Sequence, residues 1–77
     1  MEVQSIIFNK KNHTLKGVKK WLVDHKYKTS FYGKQIENTK NFYRARQKAP
    51  SRFEKKSYRM MKKRGGIEFV IGKLKSK

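Results

Sequence analysis

The sequence predicts a small α+β fold: a three- to four-stranded antiparallel sheet with one helix packed on one face. Three observations predict it. A β-branched and aromatic run lies near the N-terminus, a stretch with helically spaced apolar residues follows, and two apolar-rich segments flank Gly65-Gly66 near the C-terminus. The expected order is strand, helix, short strand, strand, strand, strand, a two-layer sandwich around one core.

Val3-Gln4-Ser5-Ile6-Ile7-Phe8 is rich in residues that suit a half-buried pleated surface and reads as a strand. The polar connector Asn9 to His13 leads to Thr14, whose hydroxyl suits a helix N-cap. Leu15, Val18, Trp21, Leu22 and His25 then fall on one helical face, with Lys16, Lys19, Lys20 and Asp24 mainly on the other. Gly17 weakens this helix by up to ~1 kcal/mol relative to alanine, a cost that close approach of a strand or loop would explain. The helix is expected to fade near Lys26-Tyr27, with His25 as a boundary residue at its end.

Residues 28–41 carry the weakest pattern. Phe31-Tyr32 suggests a short strand or packed loop, and Gly33 and Asn38-Thr39 are turn signals. Asn41 to Gln47 alternates as a strand, with Phe42, Arg44 and Arg46 on one face and Tyr43, Ala45 and Gln47 on the other. Pro50 ends it, and Pro50 to Glu54 reads as one helical turn that plugs Phe53 into the core.

Ser57–Lys63 and Ile67–Leu74 read as a β-hairpin. A turn on Arg64-Gly65 pairs Tyr58 with Ile71 and Met60 with Phe69, and is preferred. A turn on Gly65-Gly66 pairs Lys63 with Glu68. The expected core unites Trp21, Leu22, Phe42, Phe53, Met60, Phe69 and Ile71. Lys73 to Lys77 reads as a basic tail on a single domain of residues 1–77.

Composition narrows function. Twenty-two Lys and Arg against five Asp and Glu give a formal charge of +17, while aromatics at 13% argue against a purely disordered basic tail. Without cysteine there is no disulfide framework or zinc–thiolate site. His13 and His25 lack a third ligand nearby in sequence, so no metal or other cofactor is expected. The N-terminus lacks the basic and long apolar regions of a secretory signal, and no apolar run approaches the ~18–20 residues of a membrane span. The expected location is a virion or the host-cell interior. The helix also lacks the wide, bulky apolar face that membrane-surface binding needs.

Enzymatic patterns are lacking. Glu2, Asp24, Glu37, Glu54 and Glu68 are scattered, Asp24 and His25 point apart as helix neighbours, and no serine has a recognisable base. No phosphate-loop motif surrounds Gly65-Gly66 or Gly72-Lys73. The chain reads as a non-enzyme.

The basic signal is stronger. Dense runs occur at Lys10-Lys11, Lys19-Lys20, Lys55-Lys56, Lys62-Lys63-Arg64 and Lys73/Lys75/Lys77. Such charge steers polyanions inward and makes affinity fall with salt. Lysines number 17 and arginines 5, a ratio that suits backbone contact better than base reading. The expected nucleic-acid contacts are Lys19, Lys20, Arg44, Arg46, Lys48, Arg52, Lys55, Lys56, Arg59, Lys62, Lys63 and Arg64, with the arginines orienting the chain. Tyr27, Tyr32, Tyr43 and Tyr58 are either base-stacking residues or sheet and core boundary residues.

Phe42-Tyr43-Arg44-Ala45-Arg46-Gln47, Pro50, Phe53, Ser57-Tyr58-Arg59 and Gly66-Ile67-Glu68-Phe69-Val70-Ile71-Gly72-Lys73-Leu74-Lys75 form a recognisable series, with Trp21-Leu22 and Lys26-Tyr27 upstream. The series resembles a short domain pattern in proteins of tailed bacteriophages and some large DNA viruses, and covers about half the chain. The resemblance implies a viral or phage origin near structural, genome-packaging or DNA-handling genes, and brings no catalytic residues. Met60-Met61 and the lysine excess depart from the pattern.

The leading expectation is a small basic protein that contacts nucleic acid, DNA ahead of RNA, with little sequence specificity. The alternative is a virion module docking on an acidic viral or host protein. A regulator of a nucleic-acid enzyme ranks third, because a nucleic-acid mimic would be acidic. A thin core also makes homo-oligomerisation plausible.

Overall fold

The computed structural model describes residues 2–30 and 36–75. The elements are β1 (Glu2–Asn9), α1 (Leu15–Asp24), β2 (Glu37–Asn38), β3 (Phe42–Arg46), β4 (Arg59–Lys63) and β5 (Ile67–Gly72), with 3-10 turns at Pro50–Arg52 and Lys55–Ser57. The strands form one antiparallel sheet in the order β2-β3-β1-β5-β4. Among the described residues the α+β class and single helix match expectation, but the sheet has five strands. The extra edge strand, β2, begins at Glu37 and takes in Asn38, which the sequence suggested for a turn. Thr39, the other half of that turn signal, does turn the chain, its hydroxyl donating to the Phe42 carbonyl at 2.7 Å. The suggested short strand at Phe31-Tyr32, with Gly33, lies outside the described residues.

The helix starts where the sequence places it. Thr14 Oγ1 accepts the Gly17 N–H at 3.1 Å and satisfies one of the orphan amides of the first turn. At the other end the Lys26 amide donates to the Val23 carbonyl and the Tyr27 amide to the Leu22 carbonyl. Lys26 lies at φ +62°. These bonds and the left-handed residue make a Schellman termination, with lysine where glycine is usual. Gly17 is exposed, and a Cβ there would meet only Thr14 Oγ1, at 3.3 Å. The expected close approach of a strand or loop to Gly17 is therefore not what the structure shows.

α1 covers one sheet face. Ile6 and Phe8 of β1, Ala45 of β3 and Ile67 of β5 are buried with Val18, Leu22 and Ile36. Trp21, Tyr27 and Phe69 close the rim, with the Trp21 ring edge-on to Phe8 at 5.3 Å. Fully burying each large side chain contributes about 1.5–3 kcal/mol. Buried Gln47 ties the chain after the helix to β3, accepting from the Lys28 amide at 2.8 Å and donating to the Lys28 carbonyl at 2.9 Å.

The expected single core is divided. Trp21, Leu22 and Phe69 join the helix-side cluster. Phe42 and Met60 have the opposite parity on their strands and face the other, open side. Phe53 is buried on that side too, against Gly72 and Tyr58. A Cβ on Gly72 would come within 2.8 Å of the Phe53 ring, so glycine permits this plug. Phe53 bridges to Leu74, and Tyr58 Oη donates to the Pro50 carbonyl at 2.9 Å.

The hairpin register lies between the two expected alternatives. Its loop has three residues, so Met61 pairs with Phe69, Met60 with Val70, and Lys62 with Glu68. Gly65 at φ +79° and Gly66 at φ +74° supply the left-handed conformations that this loop uses. Strand β4 begins at Arg59, because the 3-10 turn takes up Lys55–Ser57.

Candidate nucleic-acid interface

The cations expected to act together are distributed over distinct surfaces. Lys19 and Lys20 are exposed on α1. Arg52, Lys55 and Lys56 are exposed on the 3-10 turns, near Lys73 and Lys75 through the bonds Glu54 N–H to Lys73 O and Lys75 N–H to Arg52 O. Arg59, Lys62 and Lys63 lie on β4, and Arg64 lies in the hairpin loop.

Arg44, Arg46 and Lys48 are tied into the protein itself. The pairing of β1 with β5 shifts between Val3 and Ser5, a bulge that brings Gln4 and Ser5 to the same guanidinium. Arg44 Nε donates to Ser5 Oγ at 3.2 Å and Nη2 to Gln4 Oε1 at 3.1 Å. Gln4 Nε2 donates to the Lys48 carbonyl at 3.0 Å, so buried Gln4 and Ser5 are both satisfied. Arg46 Nε sits 2.6 Å from Glu37 Oε1. That contact is a close charge pair without hydrogen-bond alignment, since the buried Nε has no aligned acceptor. Lys48 Nζ lies 3.8 Å from Glu2. Glu68, opposite Lys62, gives the open face a third carboxylate beside Glu2 and Glu37. These three carboxylates partly offset Arg44, Arg46, Lys48 and Lys62.

An acid-free group of cations lies at the end of the sheet where β1 runs into α1. Three loops meet there. The Asn9 amide donates to the Gly66 carbonyl at 2.8 Å, His13 Nε2 donates to the Gly65 carbonyl at 2.6 Å, and the Lys10 amide donates to the Asn41 carbonyl at 3.1 Å. These bonds link the β1–α1 connector to both the β4–β5 loop and the β2–β3 turn. They gather Lys10, Lys11, Lys16, Lys40, Lys63 and Arg64, while residues 9–16, 39–42 and 63–66 contain no Asp or Glu. Lys10 also bonds Asn38 and lies 5.0 Å from the Tyr43 ring centroid. Lys63 lies 5.8 Å from the Phe69 ring centroid. Lys11, Lys16, Lys40 and Arg64 are exposed.

Lys10, Lys11, Lys16 and Lys40 were not among the expected contacts. Lys10-Lys11 is a visible basic run, and Lys16 stands in a first turn that has no acid. Their meeting with Lys63 and Arg64 depends on long-range loop contacts.

The histidines have structural partners. His13 packs edge-on against Phe8 and bonds the hairpin loop. His25 caps the helix, stacks on Trp21 at 3.9 Å, and donates from Nδ1 to the Trp21 carbonyl at 2.8 Å. Among the described residues no group of three or more His, Cys, Asp or Glu could hold a metal ion, and no helix is long and apolar enough to cross a membrane.

Comparison of the chain with family models, curated proteins and solved structures finds no match. The functional reading therefore rests on the chain's own residues and their arrangement.

Proposed function

We propose that this is a small nucleic-acid-binding protein that grips the DNA phosphate backbone with little sequence selectivity, in the packaging, condensation or handling of a viral or phage genome. One observation carries the binding mode: the acid-free end where three linked loops present Lys10, Lys11, Lys16, Lys40, Lys63 and Arg64. Unopposed cations on a short, tied framework attract a polyanion without discriminating between bases. The viral setting follows from the resemblance of the Phe42–Lys75 segment to phage and large-virus proteins. Arg52, Lys55, Lys56, Lys19 and Lys20 extend the field over adjoining surfaces. Arg44 and Arg46 hold the sheet and are secondary to binding.

Fluorescence anisotropy with short duplexes of unrelated sequence across a sodium chloride series tests this reading. Six phosphate contacts predict a loss of affinity of about 10³ between 50 and 200 mM salt, similar for every sequence. Lys11→Ala and Arg64→Ala should each make the log–log slope shallower by about 0.9. A flat salt dependence, or slopes unchanged in both variants, refutes the proposed interface.

A further inference from the structure

We infer that the outer edge of β4 is a second binding site, which takes an extended acidic protein segment with apolar anchors as an added strand. The inference centres on Arg59, Met60 and Met61, outside the proposed nucleic-acid end, although Lys63 at the end of β4 belongs to that end and Lys56 to its extended field. Among the described residues no strand pairs with the outer side of β4, and all five β4 residues are exposed. An open groove of about 530 Å³ lies beside the start of β4, lined by Lys56, Ser57, Arg59, Met60, Met61, Ile71 and Lys73. Its floor is apolar and its cationic rim is Lys56, Arg59 and Lys73.

Edge lysines commonly serve to prevent strand-to-strand aggregation, and Arg59, Lys62 and Lys63 fit that role. The two methionines do not. Met60 is 53% and Met61 40% exposed on an edge that a purely protective design would leave polar. Methionine adapts its shape to an incoming side chain and suits a binding surface. An added strand obtains main-chain hydrogen bonds from the edge and alternate side-chain contacts from its two sides.

Charge selects the occupant. A second copy of this chain would bring its own +17 and set like charges along the paired edges, which destabilises cross-strand pairing. A nucleic-acid strand would meet the rim but leave the strand edge without its ladder and the methionines without apolar partners. An acidic extended segment satisfies the rim, floor and edge together.

The test uses a capped synthetic peptide of alternating glutamate and valine, a copy N-methylated at alternate backbone nitrogens, and a copy with lysine for glutamate. Binding to the full chain is followed by amide and methionine-methyl NMR. The expected result is that the first peptide shifts the Met60 and Met61 methyls and protects β4 amides from exchange. N-methylation and charge reversal should each weaken binding roughly tenfold or more, the scale of losing an anchoring contact. Met60→Glu and Met61→Glu, exposed changes that spare the core, should weaken it similarly.

Equal binding by the N-methylated peptide would overturn strand addition. Failure of the acidic peptide to bind, or shifts confined to the β1–α1 end, would overturn the site. A short DNA duplex that moves the same methyls and displaces the peptide would assign the groove to nucleic acid instead.

Discussion

The joint between the hairpin loop and the β1–α1 connector can be tested with two adjacent alanines. Gly65 and Gly66 have nearly equal positive φ angles, so Gly65→Ala and Gly66→Ala share a conformational cost of about 1–2 kcal/mol. Their surroundings differ. A Cβ at Gly65 meets nothing within 4 Å, whereas one at Gly66 would lie 2.8 Å from Asn12 Oδ1 and 3.1 Å from Asn9 Cβ. The Asn12 tip can move, but the Asn9 Cβ is fixed to the β1 backbone. Crowding of this kind adds about 1–3 kcal/mol. Gly65→Ala should therefore cost roughly 1–2 kcal/mol and Gly66→Ala about 2–5 kcal/mol. In a chain of this size each kcal/mol lowers Tm by about 4–8 °C. Circular-dichroism melts and urea titrations of both variants measure the difference, and Asn12→Ala in the Gly66→Ala background should recover part of the loss. Equal losses in the single variants would show that this loop contact does not require Gly66, and absence of recovery in the double variant would assign the crowding to Asn9 rather than Asn12.

Other substitutions test separate parts of the argument. Lys26→Gly should raise stability by about 1 kcal/mol in urea unfolding, because glycine reaches the left-handed Schellman position without strain. Gly72→Ala should lower stability by about 1–3 kcal/mol, because the added methyl meets the buried Phe53 ring, and the melt should show it directly. Lys16→Glu should raise Tm slightly through its interaction with the helix N-terminus, worth roughly 0.5 kcal/mol, while weakening duplex binding in anisotropy. A loss of both stability and affinity would mean that Lys16 supports the fold rather than the ligand.

Local rules made several elements readable. The hydroxyl of Thr14, the β-branched run of β1 and the parity of β3 each depend on near neighbours. Tyr43, Ala45 and Gln47 accordingly face the helix side, and Arg44 and Arg46 the other. The bulge at Gln4 has no comparable local signature; it appears only when β1 is paired simultaneously with β3 and β5. That pairing turns Arg44 into a bracket for Gln4 and Ser5. The hairpin register was uncertain because Arg64-Gly65-Gly66 supports turns of different length, and each shift exchanges the facing partners. Phe53 is recognisably a plug, but its receiving surface is created by Gly72, distant in sequence. The acid-free cationic end likewise joins three loops whose contacts no single window contains.

Charge makes opposite salt dependences expected for the free chain and its nucleic-acid complex. With +17 on a molecule measuring 38 × 26 × 24 Å, repulsion spans the whole fold at low salt. The screening length falls from about 30 Å at 0.01 M salt to about 3 Å at 1 M. Screening also weakens the Arg46–Glu37 and Lys48–Glu2 pairs, but these involve few charges, and exposed pairs contribute only about 0–1 kcal/mol each. The Tm of the free chain should therefore rise with salt. A bound duplex should raise Tm most at low salt, by linkage to its affinity, with the increment vanishing as salt releases the ligand. Melts with and without duplex should converge as salt increases. A free-chain Tm that falls with salt would assign more stability to the Arg46–Glu37 and Lys48–Glu2 pairs than exposed ion pairs can supply. A duplex increment that does not change with salt would contradict backbone binding.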